Sequence, residues 1–137
     1  MQKFDVVALG ELLVDFTENG MSGQGNTILE ANPGGAPCNV LSMLQRLGKK
    51  TAFIGKVGND NFGRMLRDVV SEQGINTDNV IFDDDIHTTL AFVHTKEDGD
   101  RDFSFYRNPG ADMMLRKNEI NESLLENTKI FHFQVES

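Results

Sequence analysis

Gly34-Gly35-Ala36-Pro37-Cys38-Asn39 is the most informative stretch of the 137-residue chain. Two consecutive glycines let the backbone approach a ligand closely, and the helix start that follows presents free N–H groups to oxygen atoms. Asn39, one turn into that helix, offers both a donor and an acceptor to a polyol. The same residues also suit a tight turn with Pro37 in the first helical turn and no ligand at all. On either reading a helix follows, with Val40, Leu44 and Leu47 on one face and Gly48 closing it.

Toward the N-terminus, Phe4-Asp5-Val6-Val7-Ala8-Leu9 is a nearly continuous apolar run closed by Gly10, which suits a strand covered on both faces. Leu12 to Glu18 and Thr27 to Ala31 read as further extended runs. The glycine-rich stretch Asn19 to Asn26 joins them as a mobile connection. Toward the C-terminus, Thr51 to Gly55 is a buried strand candidate. Asp60 caps a helix with Phe62, Met65, Leu66, Val69 and Val70 on its inner face, and Gly74 ends it in a left-handed conformation. Strand, excursion, helix, strand and helix in that order predict an α/β fold with right-handed crossovers. Beyond Thr88, residues 89–95 and 102–107 predict a hairpin around Lys96 to Arg101. A short helix is expected near Asn121 to Glu126, and Ile130 to Phe133 reads as one more core strand.

Composition narrows the function classes. Hydrophobic content of 39% and charged content of 25% are those of an ordinary globular chain, long enough for one core. Thirteen basic against 21 acidic residues give a net charge of −8, which disfavours a nucleic-acid partner. No run approaches a membrane span, and Asp5 and Glu11 interrupt any signal-peptide core, so a cytoplasmic protein without a membrane partner is expected. The single Cys38 fits a reducing compartment. His87, His94 and His132 lie too far apart in sequence to suggest a metal site. Neither Gly48-Lys49 nor Gly55-Lys56 belongs to a Walker-type loop, and Gly10 opens no dinucleotide fingerprint.

Several ordered motifs extend the reading over nearly the whole chain. Gly34 to Asn39, the helix to Leu47-Gly48, and Phe53-Ile54-Gly55-Lys56-Val57-Gly58 resemble the N-terminal signature of the ribokinase-like (PfkB-type) carbohydrate kinases. Asn59 to Gly63 and Gly74-Ile75-Asn76-Thr77 continue that resemblance. Gly10 to Phe16, Thr88 to Val93 and Phe103 to Asp112 look more like fructokinases than ribokinases.

The resemblance implies a partial ribokinase-like fold: a mostly parallel sheet with flanking helices, plus a small β-lid from about residues 12–31 and 88–108. It implies ATP-dependent phosphorylation of D-fructose at its 6-hydroxyl by the parent enzyme. 2-Keto-3-deoxygluconate kinase and a non-catalytic sugar-binding or interaction fragment are the alternatives. Asp15 would bind sugar hydroxyls, and as an acid inside the apolar run Leu12 to Phe16 it invites that role. Against it stands a plain acid on the solvated side of a strand. Gly34, Gly35 and Asn39 would line the same pocket. Phe92 would supply an apolar wall, with a core phenylalanine as the other reading, and Tyr106 and Arg107 would reach in from the hairpin. Two chains would meet at the lid.

The family carries its general base, in a Gly-Ala-Gly-Asp motif, and its ATP and Mg²⁺ sites in the C-terminal half. No residue here is therefore assigned a catalytic, cofactor-binding or metal role, and the chain alone is expected to bind none of these cofactors. After His132-Phe133 a Gly-Ser pair is usual in the family, whereas Gln134-Val135-Glu136-Ser137 stands here. The expectation is a fragment that is inactive by itself.

Overall fold

The computed structural model describes residues 3–133. The sequence expectations for Met1-Gln2 and for Gln134 to Ser137 lie outside the described residues. Eight strands and three helices follow in the order β1 Phe4–Leu9, β2 Leu13–Met21, β3 Thr27–Gly34, α1 Ala36–Arg46, β4 Thr51–Gly58, α2 Asn61–Glu72, β5 Asn76–Asp83, β6 Leu90–Thr95, β7 Arg101–Tyr106, α3 Glu122–Glu126 and β8 Thr128–Phe133. Short 3₁₀ turns at Ala111–Met113 and Lys117–Glu119 precede α3.

The strands form two sheets. One is fully parallel in the order β5-β4-β1-β8, and the other runs β3-β2-β6-β7. Every residue of β4 is buried, as its apolar run requires of a strand covered on both faces. One cluster packs Phe53 and Val57 of β4 against Leu41 of α1 and Leu66 and Val70 of α2. On the opposite face Val7, Ala52 and Ile54 meet Leu124 of α3. In the second sheet β2 pairs antiparallel with β3 and parallel with β6, and β6 and β7 form the expected hairpin. Leu12, Leu13 and Val14 anchor the root of β2 in the core, while its far end is exposed.

Asp60 ties the two sheets together. One carboxylate oxygen caps α2, accepting from Gly63 N at 2.7 Å and from Thr88 Oγ1 at 2.8 Å. The other accepts from Thr88 N at 3.0 Å, just before β6 begins. Thr88 Oγ1 in turn accepts from Gly58 N at 2.9 Å, at the end of β4. Burial works against the Asp60 charge, but the bonds from Thr88 and Gly63 outweigh it and hold the carboxyl below its ordinary pKa.

Three expectations need correction. The inner face of α1 centres on Leu41, fully buried, with Leu44 beside it; Val40 and Leu47 are 43% and 70% exposed. Val40 and Leu47 lie roughly 100° or more around the helix from Leu41, so they miss the sheet. Strand β5 was not foreseen, because Asn76-Thr77-Asp78-Asn79 is polar and only half-buried at the sheet edge. The connection at Asn19 to Asn26 is shorter than expected. Strand β2 runs on to Met21, and Ser22 closes a turn by accepting from Gln24 N and Asn26 N through its hydroxyl. β8 lies at the edge of the parallel sheet among the described residues, with Ile130 and Phe133 58% and 56% exposed.

Candidate functional site

Asp15 sits in β2 opposite Asn32 of β3 and Ala91 of β6. Alternation along a strand puts Leu13, Asp15 and Thr17 on one face. Asn32 Nδ2 confirms it by donating to Thr17 Oγ1 at 3.0 Å. The Asp15 carboxylate takes no hydrogen bond from a described residue, and burial alone pushes its pKa upward.

The glycine pair has a separate reason at each position. Gly34 stands opposite Leu13, and a Cβ there would collide with Asp15 Oδ2. Gly35 caps α1 at φ 133°, where a Cβ would run into the Glu11 carbonyl. Asn39 is exposed on the first turn of α1. It lines a cavity of about 290 Å³ with Pro33, Gly34, Gly35 and Cys38. Asp15 is not in that lining, so Gly34 is what links Asp15 to Asn39. The Cys38 thiol is buried, which raises its pKa to about 12 and leaves it without thiolate character at neutral pH.

The hairpin contributes through both of its faces. Arg107, just after β7, lays its guanidinium 4.6 Å from the Phe105 ring centroid. Its Nη2 is 3.7 Å from Glu11 Oε2, and its Nη1 is 3.8 Å from Met113 Sδ. Phe105 pairs with Ala91, which pairs with Asp15, so the three share a face. Phe92 and Tyr106 lie on the other face. Phe92 pairs with Phe16 and stacks on it at 4.9 Å, and Tyr106 meets Phe92 edge-on at 5.1 Å. Phe62 of α2 closes this aromatic row against Phe16 at 5.5 Å. The strand pairing therefore puts Asp15 and Phe105 on one face, with Gly34 and Arg107 beside them, and Phe92 and Tyr106 on the other. Tyr106 and Arg107 nevertheless both line the cavity behind the hairpin.

A cavity of about 360 Å³ opens at the C-terminal end of β1, lined by Leu9, Gly10, Glu11, Pro37, Asp112, Met113, Leu115 and Ile120. Ligands of open α/β sheets bind at that end of the strands. Glu11 and Asp112 were not singled out from the sequence. An acid directly after the buried run ending in Gly10 was the available signal for Glu11; Asp112 has none without the tertiary fold. Beneath this cavity Lys56 is buried, with Nζ 2.9 Å from Glu119 Oε1 and 3.3 Å from the Met114 carbonyl. Asp83 lies 3.5 Å from it. That clamp fixes the segment carrying Met113 to Leu115 against β4. A third cavity, of about 430 Å³, lies behind the hairpin and is lined by Thr88, Leu90, Tyr106 and Arg107 among others.

Among the described residues no three His, Cys, Asp or Glu side chains come together as a metal site. No described helix is long and apolar enough to cross a membrane.

Comparison with known proteins agrees with the fold. Residues 3–135 match the model of the pfkB family carbohydrate kinases. A probable fructokinase-5 from Arabidopsis thaliana is 47% identical over 130 residues, covering 93% of this chain and 40% of that protein. The crystal structure of a fructokinase from Xylella fastidiosa superposes with a TM-score of 0.88 at 34% identity, over 96% of this chain and 41% of the other. A sugar kinase from Pyrococcus horikoshii, solved in complex with ATP, gives a TM-score of 0.82 at 34% identity, over 93% and 42%. The chain thus spans about 40% of the length of these relatives.

Proposed function

The chain belongs to the pfkB family of carbohydrate kinases, and from that premise we propose that it is the sugar-binding part of an ATP-dependent fructokinase. The observation that carries the reading is Asp15, a partly buried carboxylate without a hydrogen-bond donor among the described residues, held beside Gly34 on the face that Phe105 and Arg107 share. A carboxylate without donors of its own is suited to two adjacent sugar hydroxyls. Gly34 leaves room for the Asp15 carboxylate and Gly35 for the Glu11 carbonyl, which together set the edge of the site, and Asn39 offers an amide one turn away. Phe92 and Tyr106 act from behind, bracing the sheet through the Phe16 row.

The substrate we assign is D-fructose rather than 2-keto-3-deoxygluconate. Arg107 is the hairpin cation that an acid sugar would need, and it is already turned toward Glu11. A substrate carboxylate would also meet Asp15 and Glu11 as like charges. In the parent reaction the 6-hydroxyl oxygen takes the γ-phosphoryl group of ATP, and fructose 6-phosphate and ADP leave. The chain's residues hold and orient the sugar, while the sheet of β2, β3, β6 and β7 closes over it and excludes water. We place the base that removes the hydroxyl proton, and the nucleotide with its Mg²⁺, outside these 137 residues. A second copy meeting at the exposed lid face of Phe103 and Phe105 is the partner we assign, in the cytosol.

A coupled assay of the purified chain tests this. Fructose-dependent ADP release at background, with fructose binding retained in calorimetry, is the expected result. Turnover that survives purification would place a base and a nucleotide site within this chain and overturn the division of labour.

A further inference from the structure

The cavity at the end of β1 carries two acids, Glu11 and Asp112, in a wall otherwise made mainly by Leu9, Pro37, Leu115 and Ile120. Asp112 is held in one orientation. Thr89, fully buried, donates its hydroxyl to Asp112 Oδ1, and Gly110 lies so close to both that a Cβ there would collide with the threonine. The second oxygen, Oδ2, is buried and has no partner among the described residues. Withdrawing a carboxylate oxygen from water without a donor is costly, so a donor is expected there when the site is filled.

Arg107 Nε is likewise buried without a partner, and these two are the buried side-chain atoms left in that state among the described residues. The Arg107 guanidinium touches Glu11 and Met113, both of which line the same cavity. Arg107 itself lines the cavity behind the hairpin, so its guanidinium stands between the two cavities. An orphan acceptor in the wall and an orphan donor on a side chain that touches that wall match a polyol, whose hydroxyls both give and take hydrogen bonds. An apolar ligand would leave both atoms unsatisfied, and an anion would face two carboxylates. Two acids without a third ligand are too few for a metal ion.

Resting on the fructose reading above, we propose that Asp112 is a specificity-determining residue whose Oδ2 accepts a hydrogen bond from one sugar hydroxyl. Arg107 Nε donates to the oxygen of a neighbouring hydroxyl.

Asp112→Asn tests the proposal, because the amide keeps an oxygen for Thr89 and replaces Oδ2 with a group that cannot accept. Calorimetry on the 137-residue chain would use D-fructose and its 1-, 3- and 4-deoxy derivatives. The variant is expected to bind fructose on the order of 10- to 100-fold more weakly than the parent. One deoxy sugar should show the same loss on the parent and no further loss on the variant, the signature of a shared contact. Carbon-13 NMR of the Asp112 carboxyl in the parent needs no variant: its resonance should move with fructose and stay with that deoxy sugar. Equal affinity of parent and variant, or a loss alike for every sugar, would overturn the assignment of Asp112 while leaving the fructose reading intact. A folded parent chain that binds no fructose would sink both.

Discussion

Across the β2–β3 pair, Gly34 is the only residue type that leaves room for the Asp15 carboxylate, since a Cβ at Gly34 would occupy the space of Asp15 Oδ2. Gly34→Ala should therefore displace Asp15 or the strand that carries it. A methyl forced into a filled site costs about 1–3 kcal/mol. The expected outcome is weaker fructose binding with a modest fall in the unfolding midpoint, read by calorimetry and circular dichroism. Unchanged binding would show that Asp15 has room to move aside.

Asp15 also carries a pH signature. Burial raises its carboxyl pKa on folding, so the folded chain holds that proton more tightly than the unfolded chain does. Stability then falls as pH rises from the ordinary carboxylate value through the raised one, and stays lower above it. Asp15→Asn removes that loss. Its unfolding midpoint should exceed the parent's near neutral pH, and the two should converge in acid below the ordinary carboxylate value. A variant less stable than the parent at neutral pH would contradict the account of burial.

Asp60 gives the opposite sign. Its folded pKa is lowered, so its contribution is present above the ordinary carboxylate value and lost as pH falls through the lowered one. Asp60→Ala removes the α2 cap and the acceptor for Thr88 N, at a cost of about 1–2 kcal/mol. Denaturant titrations of parent and variant should differ near neutral pH and draw together in strong acid. A difference that persists unchanged in acid would assign the loss to packing instead.

Much of the fold was legible because its signals are local. The buried runs of β1 and β4, the Asp60 cap and the turn of the β6–β7 hairpin each lie within a few residues. Strand β5 was not legible, since a half-buried polar edge strand has neither an apolar run nor clean alternation. Asp15 could be singled out as an acid breaking an apolar run, and the glycine pair by its permissiveness. The placement of Phe92 and Tyr106 could not. Whether they face Asp15 depends on the register Phe16 to Phe92, which is fixed by pairing between distant segments. Glu11 and Asp112 come together only when the Gly110 turn folds back over β1, so their shared cavity had no sequence signal.

Self-association is expected of the chain in solution. β8 ends the parallel sheet among the described residues, and its Ile130 and Phe133 are 58% and 56% exposed. On the lid Phe103 and Phe105 are 50% and 52% exposed and stack on one face at 6.2 Å. Open strand edges and apolar patches recruit other chains, and a net charge of −8 opposes this only weakly. Light scattering across a concentration series should give a mass above that of one chain. A monodisperse monomer with cooperative unfolding would show that these surfaces are tolerated by a closed core.

The fructokinase reading stands or falls on Asp15 holding the sugar. Titrating D-fructose into the parent chain and into Asp15→Ala by calorimetry tests it most directly. The parent should bind, and the variant should bind more weakly by about 1.5–3 kcal/mol, the range for hydrogen bonds to a charged partner. Equal fructose affinity in the two chains would contradict the claim and leave Asp15 a strand acid with no part in recognition.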